Sequence, residues 1–158
     1  MRDQTACFTG HRDLSAYSAS KISSILEKEL CKLIKDGYCY FGSGGALGFD
    51  TIAALTVIHL RENYPHIKLI LVLPHEAQAK CWSYEDQEIY ENIKRNANKI
   101  VYTAKDYYRG CMHKRNRHLV DYSSVCICFL SKQTGGTAYT VDYARKKGCK
   151  ITNIVDLL

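Results

Sequence analysis

The stretch Tyr38-Cys39-Tyr40-Phe41-Gly42-Ser43-Gly44-Gly45-Ala46-Leu47-Gly48-Phe49-Asp50 decides the fold of this 158-residue chain. Its first four residues predict a short buried strand, and an apolar segment with helical periodicity, Phe49 to Leu60, begins where the stretch ends. Four glycines separate the strand from the helix. Glycines let backbone N–H groups approach an anion, and a helix N-terminus adds partial positive charge. The stretch therefore predicts a phosphate cradle, with a tight turn that binds nothing as the alternative.

The spacing of these glycines is Gly-x-Gly-x-x-x-Gly, which matches neither the dinucleotide fingerprint nor a Walker A loop, since no Gly-Lys-Ser/Thr follows.

The rest of the chain repeats the alternation of strand and helix. Strands are predicted at Thr5–Phe8, Tyr38–Phe41, Lys68–Leu73, Lys99–Tyr102, Ser124–Leu130 and Lys150–Ile154. Helices are predicted at Ser18–Lys35, Phe49–Leu60, Tyr84–Asn96, Cys111–Tyr122 and Thr137–Lys147. This order predicts a single Rossmann-like α/β domain over residues 1–158, with a mostly parallel sheet and helices on both faces.

The composition is that of an ordinary globular protein, with 46% hydrophobic and 24% charged residues. No apolar run approaches the roughly 20 residues that span a bilayer, and the first residues lack the apolar stretch of a signal peptide. We therefore expect a cytoplasmic protein without a membrane partner. The formal charge of +6 suits a nucleic acid and a phosphorylated small molecule equally well.

The eight cysteines are expected to be reduced thiols, because several lie inside predicted strands and no Cys-x-x-Cys pair occurs. A zinc site built from Cys111, His113 and His118 is a weaker alternative. The prediction is therefore that the protein holds no metal and no cofactor.

Most candidate ligand-binding residues follow the ends of predicted strands, which is where open α/β sheets bind ligands, and Arg115 and Asn116 come from the helix before the Ser124 strand. Asp50 either caps its helix or accepts a hydrogen bond from a sugar hydroxyl. Arg12 either binds an anion or pairs with a carboxylate on the surface. The full set is Gly10, His11, Arg12, Gly42, Ser43, Gly44, Gly45, Gly48, Asp50, Pro74, Arg115, Asn116, Gly135, Gly136, Thr137 and Thr140.

Four motifs of this chain, taken in order, resemble the SLOG superfamily. This group joins the Rossmann domain of DNA-processing protein A with the Lonely-guy (LOG) phosphoribohydrolases, and the similarity is greatest to its small, single-domain YpsA-like branch. The resemblance covers nearly the whole chain and implies a Rossmann-like fold that binds nucleotides or nucleotide-derived ligands at a glycine-lined rim. The motifs are Cys7–Arg12, Gly42–Asp50, Arg115–Arg117 and Gly135–Thr137.

The resemblance also raises a hydrolase alternative. LOG enzymes carry Met-x-x-Arg-Lys and then Pro-Gly-Gly-x-Gly-Thr-x-x-Glu, which Met112–Asn116 and Thr134–Asp142 match only in part. If the chain hydrolyses an N-glycosidic bond, Arg115 would hold the phosphate and Asp142 would stabilise the developing oxocarbenium ion. The alternative for Asp142 is a solvated position near basic residues of its own helix.

A nucleic-acid partner is a further alternative. Tyr107 and Tyr108 are possible stacking platforms upstream of a cationic helix. Arg115 and Arg117 diverge by about 200° on that helix, so only one of them can line a given pocket. Without a longer basic stripe, nucleic acid ranks below a small molecule. The cationic residues are Lys114, Arg115, Arg117 and His118.

The sequence thus predicts a homo-oligomeric protein that binds a nucleotide-derived ligand, such as ADP-ribose or an NAD derivative, in a sensing or sequestering role. In this hypothesis Asp50 accepts a ribose hydroxyl, while Arg12 and Arg115 neutralise charge. Two sets of backbone N–H groups donate hydrogen bonds to two phosphates. The first set is Gly44, Gly45 and Gly48, and the second is Gly135, Gly136 and Thr137.

Overall fold

A six-stranded, entirely parallel sheet forms the centre of the computed structural model, which describes residues 1–158. The spatial order of the strands is β4-β3-β2-β1-β5-β6. Strands β2, β3 and β4 therefore follow one another on one side of β1, and the chain then crosses to the other side, where β5 and β6 lie. The strands are β1 (Thr5–Gly10), β2 (Tyr40–Ser43), β3 (Lys68–Leu73), β4 (Lys99–Tyr102), β5 (Val125–Phe129) and β6 (Lys150–Asn153).

Five helices cover the two faces of the sheet. They are α1 (Ala19–Lys35), α2 (Phe49–Leu60), α3 (Tyr84–Asn96), α4 (Cys111–Asp121) and α5 (Gly136–Lys146), with 3-10 turns at Arg2–Gln4 and Ile154–Leu157. Helices α1, α2 and α3 share one hydrophobic cluster, while α4 and α5 contribute to another. Along β1 the side chains alternate between the two clusters, with Phe8 in the larger one and Cys7 in the smaller. This confirms the predicted Rossmann-like α/β fold.

Strands β1, β2, β5 and β6 differ from the prediction at one or both ends, and two of these shifts, in β1 and β2, have a clear physical reason. Strand β1 continues through Thr9 and Gly10, because Gly10 pairs with Phe129 of β5. Strand β2 begins at Tyr40 rather than Tyr38, because the N–H of Tyr38 still donates to the carbonyl of Leu33 at the end of α1. Both shifts come from tertiary hydrogen bonds that local residue patterns do not encode.

The smaller cluster contains four of the eight cysteines, and all eight are free thiols. Cys7 faces Cys126 across neighbouring strands. A hydrogen bond of the Cys126 thiol with Cys7, together with burial, raises the pKa of Cys126 well above its ordinary value. No three histidine, cysteine or acidic side chains are grouped so as to hold a metal ion. None of the helices is long and apolar enough to cross a membrane.

Candidate functional site

A cavity of about 470 Å³ opens beyond the carboxyl ends of β1 and β5. These two strands flank the point where the strand order reverses, which is where open α/β sheets bind ligands. Four segments that are distant in sequence form its walls. The lining residues are Thr9, Gly10, His11, Arg12, Ala46, Asp50, Met112, His113, Arg115, Asn116, Lys132, Thr134, Gly135, Gly136 and Thr137.

The second glycine turn, Thr134 to Thr137, opens into this cavity. Gly135 precedes α5 with φ of +103°, and a Cβ on Gly135 or Gly136 would meet nothing within 4 Å. The N–H groups of Gly136, Thr137 and Ala138 donate to no protein acceptor. A helix start with free N–H groups attracts anions through these donors and through the helix dipole.

The first glycine turn, Gly42 to Gly48, is buried or half-buried, and some of its backbone donors bond within the protein. The N–H of Gly45 donates to Ser43 Oγ at 3.2 Å, and the N–H of Ala46 donates to Asp50 Oδ2 at 3.3 Å. At the start of α2, the N–H of Phe49 donates to the carbonyl of His11 at 3.1 Å. The N–H groups of Gly45, Ala46 and Phe49 are therefore engaged, whereas those of Gly44 and Gly48 donate to no protein acceptor.

The glycines of this first turn allow other parts of the protein to approach closely. A Cβ on Gly44 would lie 2.6 Å from Arg115 Nη1, and a Cβ on Gly48 would overlap the carbonyl groups of His11 and Arg12. None of Gly44, Gly45 and Gly48 lines the cavity. The three glycines therefore have a packing role, and their binding of a phosphate stays a prediction.

Arg115 is almost fully buried, with 3% of its surface exposed, and it lines the cavity. Its Nη1 donates to the carbonyl of Gly44, and its Nε donates to Asn116 Oδ1 at 2.7 Å. Gln78 reaches the same region, because its Nε2 donates to the Gly44 carbonyl at 3.3 Å. Burial lowers the pKa of Arg115, while the nearby Asp50 opposes that change. Arg115 therefore connects α4 to the first glycine turn at the cavity wall.

Asp50 is the carboxylate of the cavity, and only 6% of its surface is exposed. Oδ2 accepts the hydrogen bond from Ala46, whereas Oδ1 has no hydrogen-bond partner. Burial raises the pKa of this carboxyl to about 6, with the positive charges of Arg115 and Arg12 opposing the rise. Asp50 does not cap α2, since the helix begins after Gly48 without a side-chain cap.

Two buried side-chain atoms of the whole protein lack a hydrogen-bond partner, and both belong to residues of this cavity. They are Asp50 Oδ1 and His113 Nδ1. The great majority of buried polar atoms in folded proteins are paired. Both exceptions lie in the walls of one cavity, which makes this cavity the candidate functional site.

Comparison with known proteins identifies the family. Residues 7–156 match the model of the YspA SLOG family. The chain belongs to this SLOG family. It is 28% identical over 138 residues to the uncharacterized SPbeta prophage-derived protein YoqJ of Bacillus subtilis, covering 80% of this chain and 79% of that protein. It is 27% identical over 129 residues to a UPF0398 protein of Brevibacillus brevis, covering 80% of this chain and 69% of the relative.

Two solved structures share the fold of this SLOG chain. DNA processing protein A from Helicobacter pylori superposes with a TM-score of 0.66 at 19% identity, covering 99% of this chain and 72% of that one. DNA processing protein A from Streptococcus pneumoniae gives 0.66 at 16% identity, covering 94% of this chain and 49% of that one. The SLOG chain therefore spans about half the length of the second protein. The structure of the first was solved to describe its single-stranded DNA binding mode.

At the mouth of the SLOG cavity, His11 joins two loops. Its Nε2 accepts a hydrogen bond from the N–H of Ser131 at 2.9 Å, and burial together with Lys132 lowers its pKa. Arg12 and Lys132 flank this link as exposed cations, and neither forms a salt bridge with a carboxylate. The two loops therefore bring two exposed cations to the entrance, with the carboxylate of Asp13 near enough to Lys132 for the two charges to interact.

Asn116 and Thr140 connect the two glycine turns. Asn116 accepts from Arg115 and donates through Nδ2 to Thr140 Oγ1 at 3.0 Å. Thr140 in turn donates to the carbonyl of Gly136 at 2.9 Å. Thr140 does not line the cavity. Through these two hydrogen bonds, Thr140 fixes the position of Asn116 relative to the start of α5.

Asp142 lies away from the cavity. Its side chain is 61% exposed and pairs with Lys146 Nζ at 3.1 Å, as the solvated alternative predicted. The catalytic pair expected for a hydrolase, Arg115 and Asp142, is therefore not brought together. Arg117 also lies outside the cavity and donates to Tyr139 Oη at 3.3 Å, which confirms the argument from helical spacing.

Other predicted residues also lie outside the lining. Gly42, Ser43 and Pro74 are buried at strand ends. Six lining residues are absent from the predicted set, although five of them lie inside the motifs compared with the SLOG superfamily and with LOG enzymes. The sequence predicts His113 only as an alternative zinc ligand. Lys132 lies in the loop before the second glycine turn, of which only the glycines and Thr137 were predicted to bind a ligand. The missed residues are Thr9, Ala46, Met112, His113, Lys132 and Thr134, with Gln78 behind Arg115.

Proposed function

We propose that this protein binds a nucleotide-derived ligand in the cavity between β1 and β5, in a sensing or sequestering role. ADP-ribose and NAD derivatives are the ligand class. One observation carries the proposal. A single cavity combines an open helix start, which suits a phosphate, with an enclosed carboxylate oxygen that lacks a partner, which suits a sugar hydroxyl.

Each part of the ligand has a matching group. The N–H groups of Gly136 and Thr137 donate to a phosphate, and Arg12 and Lys132 at the entrance compensate its charge. Asp50 accepts a ribose hydroxyl through Oδ1, which is covered in this structure and reaches the ligand by a rotation of the carboxylate. Above a pH of about 6 this carboxyl is ionised and is then a stronger acceptor.

The first experiment is native mass spectrometry of the purified protein, followed by denaturation to release any bound molecule. We expect a co-purifying nucleotide, or failing that, a rise in melting temperature with ADP-ribose or NAD. The same spectra report the subunit count, which tests the predicted homo-oligomer. A protein that carries no nucleotide and responds to none of a panel of nucleotides contradicts the proposal.

Arg115→Gln tests whether the buried guanidinium supports binding. We expect a loss of at least about tenfold in affinity for ADP-ribose, because a charged hydrogen-bond donor disappears from the cavity wall. Arg117→Gln is the matched control on the outward face of α4, with affinity within about twofold of wild type. Isothermal titration calorimetry measures both. Equal affinities for the two variants would remove Arg115 from the site.

A second candidate function is binding of single-stranded nucleic acid. It is favoured by the exposed cations Arg12 and Lys132, neither of which forms a salt bridge at the entrance. In that case affinity for an oligonucleotide falls steeply with added salt, because each phosphate contact releases a counterion. A flat salt response, measured by fluorescence anisotropy, excludes this candidate.

A further inference from the structure

A groove of about 510 Å³ lies on the far side of the second glycine turn, outside the cavity described above. The cavity and the groove have Thr134 and Gly135 in common. The turn is therefore a ridge between two concave surfaces. The groove is lined by Leu130, Gln133, Thr134, Gly135, Ala138, Tyr139, Asp142 and Arg145.

The free N–H groups at the start of α5 are divided between these two surfaces. Gly136 and Thr137 line the cavity, whereas Ala138 lines the groove. The enclosed and unpartnered Asp50 on the cavity side is an independent sign that a ligand binds at this helix start. An anion bound at the ridge thus has a concave surface on each side for the groups that it carries.

Tyr139 gives the groove an aromatic surface that is held in position. Its ring packs against the ring of His113, with centroids 4.3 Å apart, and its hydroxyl accepts from Arg117. The side chain nevertheless stays 43% exposed. An aromatic ring that is fixed by neighbours and open to solvent is a suitable platform for stacking a base. Arg145 beside it is exposed and forms no salt bridge.

We infer that the groove is the second half of the ligand site and that the ligand is a dinucleotide, in which a diphosphate joins two nucleosides. This inference rests on the proposed function. The diphosphate lies over the ridge, on the N–H groups of Gly136, Thr137 and Ala138. One nucleoside enters the cavity with its ribose at Asp50, and the base of the other stacks on Tyr139.

The test is a comparison of ligands that differ only in the distal group. Calorimetry with ADP, ADP-ribose, NAD⁺ and diadenosine diphosphate measures what each added group contributes. Both dinucleotides are expected to bind at least about tenfold more tightly than ADP-ribose, which lacks the second base. Tyr139→Ala lowers the ratio of dinucleotide to ADP-ribose affinity from about ten to about one, and Tyr139→Phe retains it. Tyr84→Ala, at an exposed tyrosine of α3, is the matched control and keeps the wild-type ratio.

Each other outcome has a distinct meaning. Equal affinity for ADP-ribose and the two dinucleotides in the wild-type protein overturns the second base subsite and leaves the proposed function intact. Absence of binding for every nucleotide overturns both. Tighter binding of an eight-nucleotide thymidine strand than of either dinucleotide assigns the groove to nucleic acid and overturns the inference.

Discussion

The two glycine turns of this protein have similar compositions and opposite environments. The first, Gly42 to Gly48, is buried or half-buried, and its glycines let Arg115 and the β1–α1 loop approach the backbone. The second, Thr134 to Thr137, faces an open cavity and has free N–H groups. The glycines of the first turn let other parts of the protein approach the backbone closely, whereas Gly135 and Gly136 of the second border open space. The two turns therefore differ in whether their glycines line the cavity, which a glycine-rich sequence before a helix does not reveal.

Gly48→Ala should give the largest change in stability, because it places a side chain in the tightly packed first glycine turn. Gly48 has φ of +79°, and an added Cβ would overlap the carbonyl groups of His11 and Arg12. We expect the free energy of unfolding to fall by about 3–5 kcal/mol, from backbone strain and the steric clash together. Denaturation in urea measures it.

Gly148→Ala is the matched control for this prediction. Gly148 has nearly the same φ, +81°, but a Cβ there meets nothing within 4 Å. Its expected cost is about 1–2 kcal/mol, from backbone conformation alone. Equal losses of unfolding free energy in the two variants would mean that the steric clash at position 48 adds nothing to the cost of the backbone conformation.

Asp50→Asn connects the two halves of the comparison, because Asp50 follows the first glycine turn and lines the cavity that the second turn faces. Burial raises the pKa of Asp50 from 3.8 to about 6, so ionisation costs the folded state more than the unfolded state. This group favours folding below pH 4, and that contribution is lost as the pH rises to about 6. The shift corresponds to about 3 kcal/mol at pH 7. We therefore expect Asp50→Asn to stabilise the protein by up to about that amount at pH 7, while it weakens ligand binding.

Chemical denaturation between pH 4 and pH 7 checks this prediction, and Asp142→Asn is the control. Asp142 is exposed, so its variant should keep the pH dependence of the wild-type protein. Asp50→Asn should lose the part of that dependence that lies between pH 4 and pH 6. A stability profile for Asp50→Asn that follows the wild type contradicts the buried, unpaired state of this carboxyl.

Gly136→Ala should give the smallest change in stability, because it adds a methyl group to the open turn. Gly136 is the first residue of α5, and a Cβ there meets open space. Alanine in a helix is favoured over glycine by up to about 1 kcal/mol, so the free energy of unfolding should rise slightly. Affinity for ADP-ribose should fall, since the methyl group enters the cavity beside the N–H donors. Thermal unfolding and calorimetry measure the two effects, and unchanged affinity would place the ligand away from this turn.

Much of this architecture could be predicted from local patterns. The bounds of α2, α3, β3 and β4 were predicted correctly, because apolar periodicity and capping residues act within a few positions of the chain. The order of the glycine and arginine motifs also indicated the SLOG family, which the family model confirms. The start of β2 was missed because it depends on a hydrogen bond back to Leu33.

The candidate site was predictable only in part. Gly10, His11, Arg12, Asp50 and the residues around Gly135 were placed at the correct edge of the sheet, since strand ends converge there. Residues His113 and Lys132 carry no local signal. Their role arises from which residues of α4 and of the loop after β5 face the cavity.

The sequence by itself determined the alternation of strands and helices, the parallel sheet and the family, because these follow from short-range periodicity and from motifs in a set order. Only the tertiary structure decided which glycine turn is open and which aspartate is enclosed. Asp50 and Asp142 each follow a glycine turn at the start of a helix, yet one is buried near Arg115 and the other pairs with Lys146 in solvent. Burial and electrostatic environment depend on segments far apart in the chain, and folding alone brings those segments together.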